Sequence, residues 1–392
     1  MIVRQFLYWV RTALPGERAE ATSALCRAYL YSDLSPDDLA AAEGAMLMLL
    51  DDPSPLVRRA MAEALAGSRE APPAVIHALA GDQPDVAGAV LERSPLLFDA
   101  DLVDWVATGA AQTQAAIASR RLLPRSVAAA IAEVGAPEAC LVLVENPDAD
   151  IAPFSLDRVV ERFGHLAVIR EALLARDELS VHIRQSLIAK LSQTLAEFVA
   201  SRAWLEEERA RRVAREACEK ATVVLAAETP QGEVPPLIRH LRETGQLTAG
   251  LLLRALLSGN VLMFEEALAE LSGVALERVA GFVHDRGGAG FRALYDRAGL
   301  PASTYPAFRS ALEAMREGGF VGDTGGASRL KRRMVERVLT SCSEQALGEI
   351  EPLTMLLRRF ATEAAREEAR LYCDELAVDA VRTALDLQLE AA

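Results

Sequence analysis

An all-α fold is what this chain predicts: a HEAT-like helical-repeat solenoid followed by a second helical block and C-terminal helices. Three observations lead there. Hydrophobic residues make up 51% of the 392 but aromatics only 5%, the excess being Ala, Leu and Val beside many Arg and Glu, mostly good helix formers. A helix-sized pattern recurs after 29 residues near the start. Proline and glycine clusters then cut the remainder into helix-length pieces.

The first stretch, MIVRQFLYWVRTALPGER, predicts a helix. Its apolar run between Arg4 and Arg11 is shorter than the ~7 to 15 residues of most signal peptides, so no cleaved leader is expected. Arg4, Phe6, Tyr8 and Trp9 would also suit a helix resting on a membrane surface, but a packed terminal helix is the simpler reading.

The segment DDPSPLVRRAMAEALAG, residues 51–67, reads as one unit of an array. Ser54 is placed to accept a hydrogen bond from an orphan amide at a helix start, and Pro55 suits the first helical position. Val57, Met61, Ala64 and Leu65 share a face, and Gly67 can supply a left-handed stop. In QPDVAGAVLE, Pro84, Val86, Ala89, Val90 and Glu92 take the places of Pro55, Val57, Ala60, Met61 and Glu63. Between the two lies PPAVIHALAGD, with Val75, Ile76 and Leu79 on one face and Gly81 at its end, so each period holds a helix pair. QTQAAIASR is a fainter copy, with Ile117 and Arg120 where Val90 and Arg93 stood. VENPDADIAPFSLDRVVERF and RDELSVHIRQSLIAKL start about one period apart. Such helices cannot bury their stripes alone, and stacking pairs gives a continuous core. HEAT-like repeats are the nearest type, although this period is shorter than their usual ~40 residues; an irregular helical domain is the alternative.

PEACLVLVENPDADI and, more specifically, GQLTAGLLLRALLSGNVLMFEEALAELSGVALERV followed by GAGFRALYDRAGLP resemble the bacterial domain-of-unknown-function family 2336. The resemblance runs from roughly Asp51 to Pro306. It implies a helical, HEAT-like fold and a bacterial cytosolic protein, and it brings no catalytic residues to carry over.

After the array, Phe198 to about Glu228 predicts one long, highly charged helix, a spacer or a dimerising element. TPQGEVPP, Thr229–Pro236, with three prolines and a glycine, is the best boundary. A second helical block follows to Glu317, with Phe264, Leu268 and Leu271 on one face, a turn at Gly273, and Val279 and Val283 on the next helix. GGFVGDTGGAS, residues 318–328, is too rich in glycine for regular structure and precedes a final helix pair. The expected organisation is an array over 1–200, a long helix and linker over 201–236, a second block over 237–317, and a Gly-rich hinge with the C-terminal helix pair over 318–392.

The chain carries a formal charge of -14, which opposes a general affinity for nucleic acid. LTAGLLLRALLSGNVLMF is interrupted by Arg254, Gly259 and Asn260, short of the ~18 uninterrupted apolar residues of a membrane span. Cys26, Cys140, Cys218, Cys342 and Cys373 are scattered without CxxC spacing and read as buried reduced thiols. His77, His165, His182, His240 and His284 are isolated, with no short metal-ligand spacing. IRHLRETG is faintly similar to the phosphoacceptor helix of sensor kinases, which makes His240 a weak phosphoacceptor candidate; the acidic residue expected beside the histidine is absent. Neither the Gly-rich segment before Ser328 nor RGGAG, Arg286–Gly290, has phosphate-loop spacing, and no GxSxG elbow is present. RLKRRMVER gathers Arg329, Lys331, Arg332, Arg333 and Arg337 around the apolar stripe Leu330, Met334 and Val338. This cluster is a solubilising face, a docking patch for an acidic protein surface or, against the global charge, a contact for nucleic acid.

No catalytic, cofactor-binding or metal-ligating set emerges. The sequence therefore predicts a cytoplasmic, non-enzymatic interaction or scaffold protein with a protein partner and a possible homodimer. The alternative is a signalling component that binds a small ligand, or transfers phosphate, in the second block.

Overall fold

The computed structural model describes residues 8–10, 12–176, 179–285, 288–317, 329–345 and 351–390, with the side chains of 344, 345, 351, 375 and 378–390 excepted. All regular elements among the described residues are helices. The chain forms two compact units, Met1–Ile183 and Arg184–Ala392. Arg4, Phe6 and the Gly-rich segment 318–328 lie outside the described residues, as do Arg286 and Gly287 of the RGGAG turn.

The first unit holds α1 (Pro15–Tyr31), α2 (Pro36–Leu49), α3 (Pro55–Leu65), α4 (Pro73–Ala80), α5 (Pro84–Arg93), α6 (Asp99–Thr108), α7 (Ala111–Ala118), α8 (Arg125–Val134), α9 (Pro137–Glu145), α10 (Pro153–Phe163) and α11 (Ala167–Leu174). Each helix packs beside the next but one. The helices α1, α3, α5, α7, α9 and α11 form one row, and α6, α8 and α10 pack in another. From α3 to α11, helices of the first row begin 26 to 30 residues apart. The faint copy QTQAAIASR falls on α7 of this row, whereas VENPDADIAPFSLDRVVERF supplies α10 of the other row and RDELSVHIRQSLIAKL a helix that starts at Val181, outside both.

Hydrogen bonds at the helix ends fix the direction within each row. Ser126 Oγ donates to Asp99 Oδ2 at 3.0 Å, and the Asp150 amide donates to the Leu123 carbonyl at 3.1 Å, so the N-termini of α6, α8 and α10 lie side by side. At the C-terminal ends of the helices, side chains from one helix pair satisfy the orphan carbonyls of the pair before it. Arg120 donates to the carbonyls of Leu91 and Ser94, Asn146 to those of Ala118 and Arg120, and Arg176 to that of Val144. In the second row Arg162 reaches the carbonyls of Ala132 and Gly135, both at 2.7 Å. Guanidinium and carboxamide groups are suited to this because one side chain offers two or more diverging donors.

The founding unit behaves as expected in its core and differs at both ends. Val57, Met61 and Leu65 are fully buried together with Ala62, and Ala64 is half-buried. Pro55 opens α3, but the Ser54 side chain makes no capping bond; its amide instead donates to Asp52 Oδ1 at 2.8 Å. Asp52 is recruited because Arg18 holds it from α1 at 2.8 Å. Gly67 does not adopt a left-handed backbone. The helix ends in an ordinary turn, closed by the Ser68 amide on the Leu65 carbonyl.

The second unit is built from most of α12 (Val181–Ser201), α13 (Glu207–Glu228), α14 (Val234–Glu243), α15 (Ala249–Ser258), α16 (Val261–Ser272), α17 (Leu276–His284), α18 (Ala289–Arg297), α19 (Tyr305–Arg316), α20 (Arg332–Gln345) and α21 (Glu351–Glu390). At its centre is α15. Every residue from Leu251 to Ser258 is buried, as an all-round apolar helix requires. Thr248 caps its start, accepting from the Leu251 amide. Gly259 turns the chain with a left-handed φ of 84°, and Asn260 caps α16 by accepting from the Met263 amide. Phe264, Phe291, Tyr295, Tyr305 and Phe308 pack into one aromatic cluster, with Phe264 and Phe308 stacked at 5.7 Å.

The single long helix expected over Phe198–Glu228 is two helices. The chain reverses at residues 202–206, where Ala203 takes the left-handed position usually filled by glycine, at φ 56°. The Trp204 amide reaches back to the Val199 carbonyl, and its indole packs edge-on against Phe198 at 5.8 Å. Contact between the two aromatic rings accompanies a turn that the polar sequence around it does not advertise. The proline-rich TPQGEVPP is likewise shorter as a linker than it reads. Residues Gln231–Glu233 form a 3-10 turn, and Pro235 and Pro236 sit in the first turn of α14, where a missing N–H costs nothing.

Candidate functional site

A buried polar network in the second unit begins on α12. Gln185 occupies a core position of that helix and is completely buried, so its carboxamide must be satisfied internally. It is: Gln185 Nε2 donates to Gln246 Oε1 at 2.7 Å, while Gln185 Oε1 lies 3.1 Å from His240 Nε2. Ser186 Oγ approaches the same imidazole nitrogen at 3.1 Å. A polar chain thus runs from α14 through α12 to the turn before α15. Thr244 Oγ1 donates to the His240 carbonyl and receives a bond from Gln246 Nε2, tying both ends of that turn together.

Gln246 also reaches the floor of a groove of about 730 Å³ between α12 and α13. Ala189, Ala196 and Ala200 line one wall and Ala214 and Cys218 the other, with Glu207 and Arg211 paired at the rim. Small side chains at helical spacing keep the two helices from filling the space between them. Burial pushes the Cys218 thiol up from its ordinary range, so it is a protonated wall residue rather than a nucleophile. Beside it, burial also raises the Glu219 carboxyl, against the opposing charge of Arg254 and a hydrogen bond from Thr248.

A second polar assembly crosses the core. Arg254, only 2% exposed, makes a two-pronged pair with Glu363 at 2.8 and 2.9 Å and lies 4.5 Å over the Phe360 ring. Lys220 contacts Glu363 and Glu367, and Arg359 contacts Glu216 at 2.6 Å. These pairs attach α21 to α13 and α15. The same arginine that interrupts the most apolar stretch of the sequence is therefore the anchor for the last helix.

The sequence-derived candidates are placed as follows. His240 is half-buried and its Nε2 is engaged by Ser186 and Gln185, so phosphorylation at that atom requires release of both contacts. The basic cluster is divided. Lys331 is 5% exposed and its amide donates to the Leu257 carbonyl, which removes it from any surface patch. Arg332 pairs with Glu336 and Glu368, and Arg337 pairs with Glu317. Arg329 and Arg333 are exposed. Folding thus buries one of the five cations and pairs two others, still exposed, with carboxylates of α20, α21 and the residue that follows α19. Four cysteines are buried, with Cys26 pushed up to about 12 and Cys140 to about 11 by burial; Cys373, expected to be buried, is exposed.

Sequence reasoning missed Gln185 and Gln246. The signal for the first was a polar residue at a core position, between Val181 and Ile188 in helical register. For Gln246, in a turn, no such periodic signal exists. Among the described residues, no group of three or more His, Cys, Asp or Glu side chains is arranged to hold a metal ion, and no helix is long and apolar enough to cross a membrane.

No curated protein and no solved structure matches the chain. The family model that does match covers residues 86–348, starting later than the resemblance seen in the sequence and running on through the basic helix α20. That match takes in more than half the chain, and the chain belongs to the family described as "Uncharacterised protein conserved in bacteria" (DUF2336).

Proposed function

We propose that the chain is a non-enzymatic interaction or scaffold protein of the bacterial cytosol, with a HEAT-like solenoid in its first unit that binds a protein partner. One observation carries this reading. The aligned N-terminal ends of α6, α8 and α10 each bear a large apolar side chain in the open: Phe98 is 74% exposed, Leu122 83% and Phe154 63%. Scattered exposed apolar residues need no explanation, but a row repeated along one edge of stacked helices fits a binding surface. The test is affinity capture from the native cytosol, comparing the full chain with Phe98→Ser, Leu122→Asn and Phe154→Ser combined. A near-stoichiometric protein lost with the triple variant is the expected result. Identical captures from both would remove the reading.

The second reading is a signalling component, favoured by the groove between α12 and α13 and by the polar chain that links it to His240. A small ligand in the groove would stabilise the chain, and phosphotransfer would leave acid-labile phosphate that disappears in His240→Ala. Neither effect across a panel of metabolites and phosphodonors would set it aside.

A further inference from the structure

We infer that the chain forms a reciprocal dimer in which residues 371–390 at the end of α21 of each copy dock on the α12 stripe of the other. On α12, Ile188, Leu191, Leu195 and Phe198 fall at the three-and-four spacing of a helix-pairing seam. They are not covered: Ile188 is half-buried, Leu195 is 52% exposed and Phe198 46%, and Trp204 extends the stripe past the end of the helix. Together these side chains leave on the order of 400 Å² of apolar surface open, within the range at which a patch on a monomer is functional.

Charge identifies the occupant. On α12 and at its end the stripe is accompanied by Arg184, Lys190 and Arg202 against Glu197 alone, a basic segment in a chain whose net charge is -14. Arg202 lies over the Phe198 ring at the end of the stripe. Two such stripes facing each other would bring like charges together. The complement is an amphipathic helix with acidic flanks, and the chain contains one. Residues 371–390 hold five Asp and Glu against Arg382 alone, and in that sequence Leu371, Val378, Val381, Leu385 and Leu389 recur at helical spacing.

Geometry assigns that helix to a second copy. The first half of α21 is fastened to its own unit through Glu363 and Glu367. From there the helix runs unbroken to Glu390, which carries its end roughly 35 Å onward at 1.5 Å per residue. A straight helix cannot return to α12 of the same chain. Its departure from the body is visible in the side chains, since Leu371, Tyr372, Cys373, Asp374, Leu376 and Ala377 are exposed on every face. Two reciprocal contacts related by a two-fold axis close the assembly, and the paired stripes with their flanks reach the ~1,000 Å² that a specific interface needs.

The experiment uses the full chain and two substitutions, Leu195→Asp on the stripe and Leu385→Asp on the helix end, with mass measured by light scattering after size exclusion at micromolar concentration. The unaltered chain is expected to be a dimer that weakens with added salt, and each variant alone a monomer. An equimolar mixture of the two variants restores one stripe and one intact helix end, and is expected to regain a heterodimer. A monomeric unaltered chain overturns the proposal. So does a dimer that survives Leu385→Asp and is lost with Leu195→Asp, which would mean stripe against stripe. Circular dichroism of both variants checks that each is folded.

Discussion

The two units solve the same problem, burying helices poor in aromatic residues, in different ways. In the first, contacts join each helix to the next but one, and polar side chains serve the backbone: Arg120, Asn146, Arg162 and Arg176 close the carbonyl ends of the preceding repeat. In the second, an aromatic cluster and two ion pairs join residues far apart in sequence, the buried Arg254 with Glu363 and the more open Lys220 with Glu367. A repeating unit can add stability in small, nearly independent increments. The second unit concentrates it in a few places where loss is severe.

Breaking the aromatic cluster is expected to have the largest effect. Phe264→Ala removes a fully buried ring stacked on Phe308 and should cost about 4 kcal/mol in urea unfolding of the full chain. A cost below about 1 kcal/mol would mean that the cluster is loosely packed. Arg254→Ala comes next, at about 3 kcal/mol, because it removes the two-pronged partner of the half-buried Glu363 and leaves it only the longer contact to Lys220. Replacing both with Met should recover most of that loss, and failure to recover would show that the pair itself, not relief from a stranded charge, holds α21.

The first unit should yield less to any single change. Arg162→Ala leaves the carbonyls of Ala132 and Gly135 without donors and should cost about 1 to 2 kcal/mol, with Lys restoring little because it lacks the fork. Chemical unfolding of Arg162→Ala and Arg162→Lys side by side measures this, and full rescue by Lys would reduce the clasp to simple charge.

Acidity separates the units by sign. At Asp52 burial is opposed, and outweighed, by hydrogen bonds from Arg18 and the Ser54 amide, and at Asp82 by those from Arg58 and the Gln83 amide, so both carboxyls are lowered. Their contribution is present above the ordinary carboxylate range and is lost as pH falls through the lowered values. Burial raises Glu219 and Glu265 instead, the latter against the charge of His284. Their contribution is complete below the ordinary range and is lost as pH rises through the raised values, so the second unit gains stability on going from pH 7 towards 5. Melting at both pH values should show this gain shrink in Glu219→Gln. The smallest effect is expected at Arg125, whose pair with Asp150 is exposed on both sides: Arg125→Ala should leave the unfolding midpoint unchanged within experimental error.

The helix starts and buried faces of the first unit were legible because their information is local. Pro55, Val57, Met61 and their counterparts at Pro84, Val86 and Val90 set helix starts and buried faces within single turns, and the period then carries the packing partner of each helix. The candidate site was legible only in part. His240 could be picked out by residue type, but its partners Gln185 and Gln246 come from a neighbouring helix and a turn, and no spacing in the chain announces that they meet.

By itself, then, the sequence determined the helical class, the buried helix faces of the first unit and the turn at Gly273, since each follows from side-chain periodicity and backbone preference over a few residues. Tertiary structure decided the rest. It broke the expected long helix at Ala203, where Trp204 gained a partner in Phe198, and it divided the basic cluster by burying Lys331 and pairing Arg332 and Arg337 with distant carboxylates. It also turned Arg254 from an interruption into an anchor. The physical reason is common to all three: the free energy of a charge or an aromatic ring depends on what surrounds it, and those surroundings are assembled from parts of the chain that only folding brings together.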